Sequence, residues 1–419
     1  MGFWPRLLGW WKLILIPLAI IAVVLIPQVI SHTVDQIKWS TEVGNKTIFH
    51  PEIAKCGNRQ TFFTTSPIKE GEYGRIVPLG AYGPTGGHVF PTKHIYFMST
   101  AANVEDQTDV TIYSPGDLFI TYFEQSTNNT LGYTDYYVYT SPCRDVEVDF
   151  YHLNSVNPKI TAAFATAKKK NCRTEQNGQS NNSSCGAVIN NVQLKAGEEL
   201  GVGNPAKKKG ILQFFDMEMS DHRTPELQFA NRERWKGGFD FKHIVCPLNY
   251  FTPELKANYF TQMADYNDPS LKRITEPLCG EYMQDVAGTA QGAWFQAGAG
   301  TKTVDEVDEN SQLTLAHNNV LPEKGEIVIG TTTTDTLEAG AYPFDPKPNG
   351  LVDRDFKDIT ADGQTYCFEP TGLTGTYRYP FRVLLQMTSS TQLKLEGQKN
   401  QDCGSGPWEL SNSAATFER

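Results

Sequence analysis

An unbroken apolar stretch near the start of the chain limits every later inference. From Leu13 to Pro27 no side chain is charged, and only Gln28 interrupts the run before Ile30. Wound as a helix, residues 13–30 span roughly 27 Å, the depth of a bilayer's hydrocarbon layer. Pro17 and Pro27 are better tolerated in such a helix than in water. Met1–Lys12 carries Arg6 and Lys12 and no acidic side chain. It also holds Trp4, Trp10 and Trp11, which suit the headgroup boundary. A cleaved signal peptide would need a shorter apolar region and small residues at its cleavage site, and Ile30-Ser31-His32-Thr33 matches that poorly. The expectation is a cytoplasmic tail at 1–12, an uncleaved plasma-membrane anchor at 13–31, and an extracellular or periplasmic bulk beyond about residue 32.

Cysteine usage points to the same compartment. There are eight: Cys56, Cys143, Cys172, Cys185, Cys246, Cys279, Cys367 and Cys403. None forms a C-x-x-C pair, which removes the zinc-ribbon and thioredoxin patterns. Proximity favours Cys172–Cys185 and Cys367–Cys403, and elimination leaves Cys246–Cys279 and Cys56–Cys143. Asn45, Asn128, Asn181 and Asn182 each begin an N-x-S/T sequon, so they are glycosylation candidates on exposed loops.

Beyond the anchor the pattern is mainly β. Short runs rich in Tyr, Phe, Ile, Val and Thr recur between turn residues: His94–Met98, Val110–Tyr113, Leu118–Phe123, Tyr136–Tyr139 and Val146–Leu153. Thr166–Asn182, which contains Lys168, Lys169 and Lys170, reads as a long exposed loop. Pro253–Met263, preceded by Thr252, is the best helix candidate outside the membrane. Strands and turns resume from Leu278. With 37 Lys+Arg against 47 Asp+Glu, the net charge of −10 argues against nucleic acid as the partner. The expected organisation is a stalk with first strands at 32–69, one β domain at 70–245, a connecting segment with a short helix at 246–277, and a disulfide-stapled β-sandwich or barrel at 278–419.

Three segments within residues 70–220, taken in order, resemble the LytM or M23-type zinc peptidase domain. Val192–Gly201 resembles that family's V-x-x-G-x-x-I-G hairpin. Val110–Leu118 resembles its P-V-x-A-P-x-x-G-x-V strand pair, and Phe150–Val156 its Y-x-H-L-S-x-I strand. The resemblance implies an antiparallel sheet with a groove for an extended peptide or glycan. It also implies zinc held by H-x-x-x-D and the second His of H-x-H, with a further His from the Y-x-H-L strand. The corresponding positions are mostly replaced. His94 is followed by Met98 where the Asp is expected, and the alternative start at His88 gives Thr92. The H-x-H strand aligns with Ile211–Phe215, which places Ile211 and Gln213 at the two histidines. His152 survives. A zinc centre needs three N, O or S ligands with an open position; Met and Gln are poor ones.

The resemblance therefore implies a catalytically degenerate, membrane-anchored module that binds an envelope glycan, peptide or protein partner, with no cofactor. Two alternatives are a zinc metallopeptidase rebuilt from His88, His94 and His152, and a structural subunit of an envelope complex. Other clusters read as ordinary surface. Asp216, Glu218, Asp221 and His222 read as a solvated loop, and Asp353, Asp355, Asp358 and Asp362 as a polar turn without the Glu that closes an EF-hand. Lys207–Lys209 reads as a solvated basic loop. Trp294-Phe295, Trp408 and Tyr377–Phe381 are expected to pack, with a carbohydrate- or peptide-binding groove as the alternative.

Overall fold

The computed structural model describes residues 53–419, apart from 86, 101–105, 107, 178–179, 204–212, 237–240 and 331–336. The expected anchor, Asn45, Lys207–Lys209 and Ile211 lie outside the described residues. Among those described, no helix is long and apolar enough to cross a membrane.

The described chain is mainly β and its strands pair antiparallel. The first sheet uses β1 (Arg75–Val77), β2 (His94–Met98), β3 (Val110–Tyr113), β4 (Leu118–Asn128), β5 (Tyr133–Cys143) and β6 (Val146–Val156). It continues with β7 (Asn171–Asn177), β8 (Ser180–Val188), β9 (Gln193–Leu194), β10 (Glu199–Gly203) and β11 (Gln213–Asp221). Its main path runs β1-β2-β11-β6-β5-β4-β8-β7, with β10 joining β3 to β6 and β9 pairing with β4.

Period-two alternation sorts the side chains by face. Ile95, Phe97, Phe123, Val138, Val148, Phe150, Phe215 and Met217 enter one apolar core. The intervening positions put His94, Tyr96, Tyr139, Asp149, Tyr151, Asp216 and Glu218 on the opposite face. The same core takes Phe62, Phe63, Phe251, Tyr259 and Met263 from the flanking segments.

Two departures from the sequence reading stand out. α1 (Pro158–Thr166) follows β6 directly. Asn157 caps it, its side-chain oxygen accepting from Lys159 N at 3.0 Å, with Pro at the first turn. Ile160 and Phe164, four apart, are its buried residues, and Phe164 meets Phe123 edge-on at 5.0 Å. The stretch expected as a loop at 166–182 instead contains β7 and the start of β8, with Cys172 and Cys185 directly opposed. α2 (Pro253–Thr261) falls on the predicted helix, although Thr252 makes no capping bond.

The second sheet comprises β12 (Gly292–Gln296), β13 (Leu313–His317), β14 (Gly325–Ile329), β15 (Gly340–Phe344), β16 (Tyr366–Phe368), β17 (Phe381–Ser389), β18 (Gln392–Lys399) and β19 (Ala415–Glu418), in the order β15-β14-β13-β12-β19-β18-β17-β16. Its two ends approach closely. Phe344 of β15 and Phe368 of β16 lie 4.9 Å apart, and Thr371 N donates to Pro343 O at 2.7 Å. The sheet is thus a nearly closed barrel with its own apolar interior. Phe90, Trp235, Tyr282 and Phe295 form a third cluster between the sheets. All four expected disulfides form: Cys56–Cys143, Cys172–Cys185, Cys246–Cys279 and Cys367–Cys403. They are consistent with an extracellular protein.

Candidate functional site

Two irregularities in the first sheet gather its polar side chains. Phe150 and Leu153 both point into the core, yet only two residues separate them. Strict alternation would put His152 on the core side. Its φ of +65° and a shift in register against β5 turn it back beside Tyr151. On β11 the register against β2 shifts between Gln213 and Phe215. Phe214 and Phe215 are then both in the core, and Gln213 and Asp216 share the polar face.

Asp216, 1% exposed, sits at the centre. Its Oδ2 is 3.3 Å from His94 Nε2 and 3.5 Å from His152 Nε2. Its Oδ1 accepts from the Gln213 amide. His152 Nδ1 contacts Asp135 Oδ2 at 3.2 Å, so the imidazole lies between two carboxylates. The His152 side chain is 27% exposed and marks the open side of the cluster. His94 is 7% exposed, and neither of its ring nitrogens makes a hydrogen bond among the described residues. The His88 ring is 5.8 Å from the His94 ring and roughly perpendicular to it.

A second strand of polar contacts runs beside the first. Lys93 Nζ reaches Glu218 Oε1 at 2.9 Å, and the Tyr151 hydroxyl lies 2.9 Å from Glu218 Oε2 and 3.1 Å from Asp149 Oδ2. Burial, reinforced by these carboxylates, raises the Tyr139 and Tyr151 phenols well above their ordinary values, so they remain hydrogen-bond donors at neutral pH. Burial also lowers both imidazoles. His88 is pushed down to about 4, helped by His152 and Lys93, and His94 lies well below the usual histidine value. Both are neutral at pH 7.

The structure therefore brings His88, His94 and His152 to one place, as one sequence alternative requires. It also corrects the reading of Asp216, Glu218 and Asp221 as a solvated loop: all three are buried on β11, and only His222 of that group is exposed. Asp216 and Asp135 are the residues that the sequence reading missed as partners of the histidines. Met98 is buried at the end of β2 among Val77, Ala81 and Tyr96. Thr92 is buried as well.

The donor set of three imidazoles and a carboxylate is chemically suited to zinc, and the unbonded nitrogens of His94 point the same way. The arrangement is not. Among the described residues, no three His, Cys, Asp or Glu side chains are grouped so as to hold a metal ion. As placed, the cluster is a carboxylate–imidazole network rather than a cage.

Other candidates resolve simply. Asn128 is 7% exposed, and its side-chain oxygen accepts from Thr130 N and Leu131 N, so this sequon is folded into a turn. Asn181 is exposed and Asn182 half-buried. Asp353 is engaged by Lys347 and Glu369 N, Asp355 by His317 and Lys357, and Asp362 by Tyr366 and Gln364 N. Trp294, Phe295 and Trp408 are buried, whereas Tyr377 is exposed. No protein-family model, curated protein or solved structure matches the chain.

Proposed function

We propose that this is an exported, membrane-anchored protein whose first sheet is a degenerate M23-like module that binds an envelope peptide or glycan without cleaving it. The observation that carries this reading is the Asp135–His152–Asp216–His94 chain. Two imidazoles are turned onto protein carboxylates, while Met98 and Gln213 occupy positions where that family supplies ligands. Such a network fixes the polar side chains in place and leaves His152, 27% exposed, as the member of the cluster that can meet a ligand. The test is sedimentation of the exterior part of the chain with insoluble peptidoglycan, followed by assay of the supernatant. Binding without release of soluble fragments is expected. Absence of binding, together with a stable co-purifying protein, would instead favour a structural subunit of an envelope complex.

One observation favours a second reading, a rearranged zinc peptidase. His94 occupies the first position of the family's H-x-x-x-D, and Asp216, three residues beyond Gln213, brings a carboxylate within 3.3 Å of it. His88 lies adjacent, so an imidazole and a carboxylate stand together although the family's own Asp and second His positions are replaced. Chelator-sensitive release of wall fragments, lost in Asp216→Asn, would establish this reading over the first.

A further inference from the structure

The second sheet carries an aromatic surface that the first-sheet reading does not use. Among the described residues, Tyr377 is the one strongly exposed aromatic side chain, at 55%. It begins an alternating series, Tyr377, Tyr379 and Phe381, whose odd positions share a face as the chain enters β17. Tyr379 and Phe381 are half-buried, and successive ring centroids are 5.1 and 5.4 Å apart.

The series is held from behind. Tyr342 of β15 meets Tyr379 at 5.1 Å and Phe381 at 5.2 Å, edge-on to both, and its own hydroxyl donates to Glu338 O at 2.8 Å. Backbone bonds from Gly372 N to Tyr377 O at 2.6 Å and from Tyr379 N to Pro370 O at 3.0 Å brace the segment. The rings therefore lie along the seam where the two ends of the barrel meet. They form a braced strip in which the Tyr377 ring stands nearly perpendicular to that of Tyr379, and the Tyr379 ring is tilted by 42° to that of Phe381.

We propose that this strip is a glycan-binding platform, independent of the His94–Asp216–His152 cluster. Its chemistry is amphipathic. Ring faces suit the C–H faces of sugars, and the phenol hydroxyls of Tyr377 and Tyr379, with the exposed carboxylate of Glu338 beside Tyr342, suit sugar hydroxyls. Preorganised rings lose little conformational entropy on binding, which raises the affinity available from a small contact.

The experiment uses the intact chain in detergent and a soluble β-1,4-linked N-acetylglucosamine hexamer, read by calorimetry. Binding is expected. Tyr377→Ala should weaken it about tenfold, the equivalent of one aromatic contact, and Tyr377→Trp should retain it. Both variants alter an exposed ring, and a far-ultraviolet spectrum equal to that of the parent confirms their fold. Ile274→Ala, which alters an exposed side chain outside both sites, should leave hexamer binding unchanged. Failure to bind the hexamer, or equal binding by Tyr377→Ala, would overturn the platform. Either result leaves the first-sheet reading standing, since that reading is tested by sedimentation with whole peptidoglycan.

Discussion

Asp216 is where two histidines from different strands meet, and this juxtaposition makes its loss informative. Asp216→Ala should destabilise the exterior part of the chain by about 2 kcal/mol in urea unfolding, because the buried Gln213 amide loses its charged hydrogen-bonding partner. Asp216→Asn, which keeps the shape, should cost less. His152 provides the contrast. It adopts a left-handed backbone that costs a non-glycine residue roughly 1 kcal/mol. His152→Gly relieves this while removing the contacts to Asp135 and Asp216, so its net destabilisation should be smaller than that of Asp216→Ala. Equal losses in the two variants would show that the backbone at 152 is not strained. His94 and His152 were legible in the sequence as candidates; their shared carboxylate was not. The run Phe-Phe-Asp-Met-Glu-Met-Ser-Asp does alternate apolar and polar from Phe215 onward, and that period-two signal could have placed Asp216 and Glu218 on a strand.

At the level of elements, the long apolar-aromatic strands and α2 were readable because their side chains alternate or cluster in familiar ways. What escaped had physical causes. β7 and β8 are rich in Asn, Ser and Gln, which have low strand propensity; pairing with β4 and the cross-strand disulfide hold them in place. α1 carried its signal in two residues, Asn157 as cap and Pro158 at the first turn, too short a pattern to stand out beside a strand. The bulges at His152 and Gln213 break the alternation on which strand reading depends, and both fall at the site. The disulfides permit a direct prediction from loop length. Removing Cys56–Cys143, which closes a loop of 87 residues, should cost about 4–5 kcal/mol on the chain-entropy model; removing Cys172–Cys185, which closes 13, should cost about 3. Thermal unfolding of the paired Cys→Ala variants checks the order.

Across the whole molecule, the two sheets are joined by apolar packing and by buried carboxylates. Glu309, near the second sheet, accepts the Phe90 backbone N–H at 2.8 Å, two residues from His88. Burial raises Glu309 and Glu326 to about 7. Their contributions to stability are therefore complete below the unfolded value near 4.5 and are lost as pH rises through 7. His88, lowered to about 4, acts in the opposite sense: its contribution is present above the unfolded value near 6.5 and fades as pH falls toward 4. Urea unfolding of Glu309→Gln should be flatter between pH 5 and pH 8 than that of the parent, by about 1–2 kcal/mol once partial solvent access is allowed for. A parallel pair of profiles would remove Glu309 from this account.

On the proposed reading, the imidazole–carboxylate cluster of the first sheet takes part in ligand binding and holds no metal. The most direct test is elemental analysis of the exterior part of the chain after exposure to zinc and dialysis, beside Asp216→Asn and His94→Ala. This account predicts no metal above background in any of the three. About one zinc per chain in the parent, lost in both variants, would contradict it and make the protein a metallopeptidase candidate.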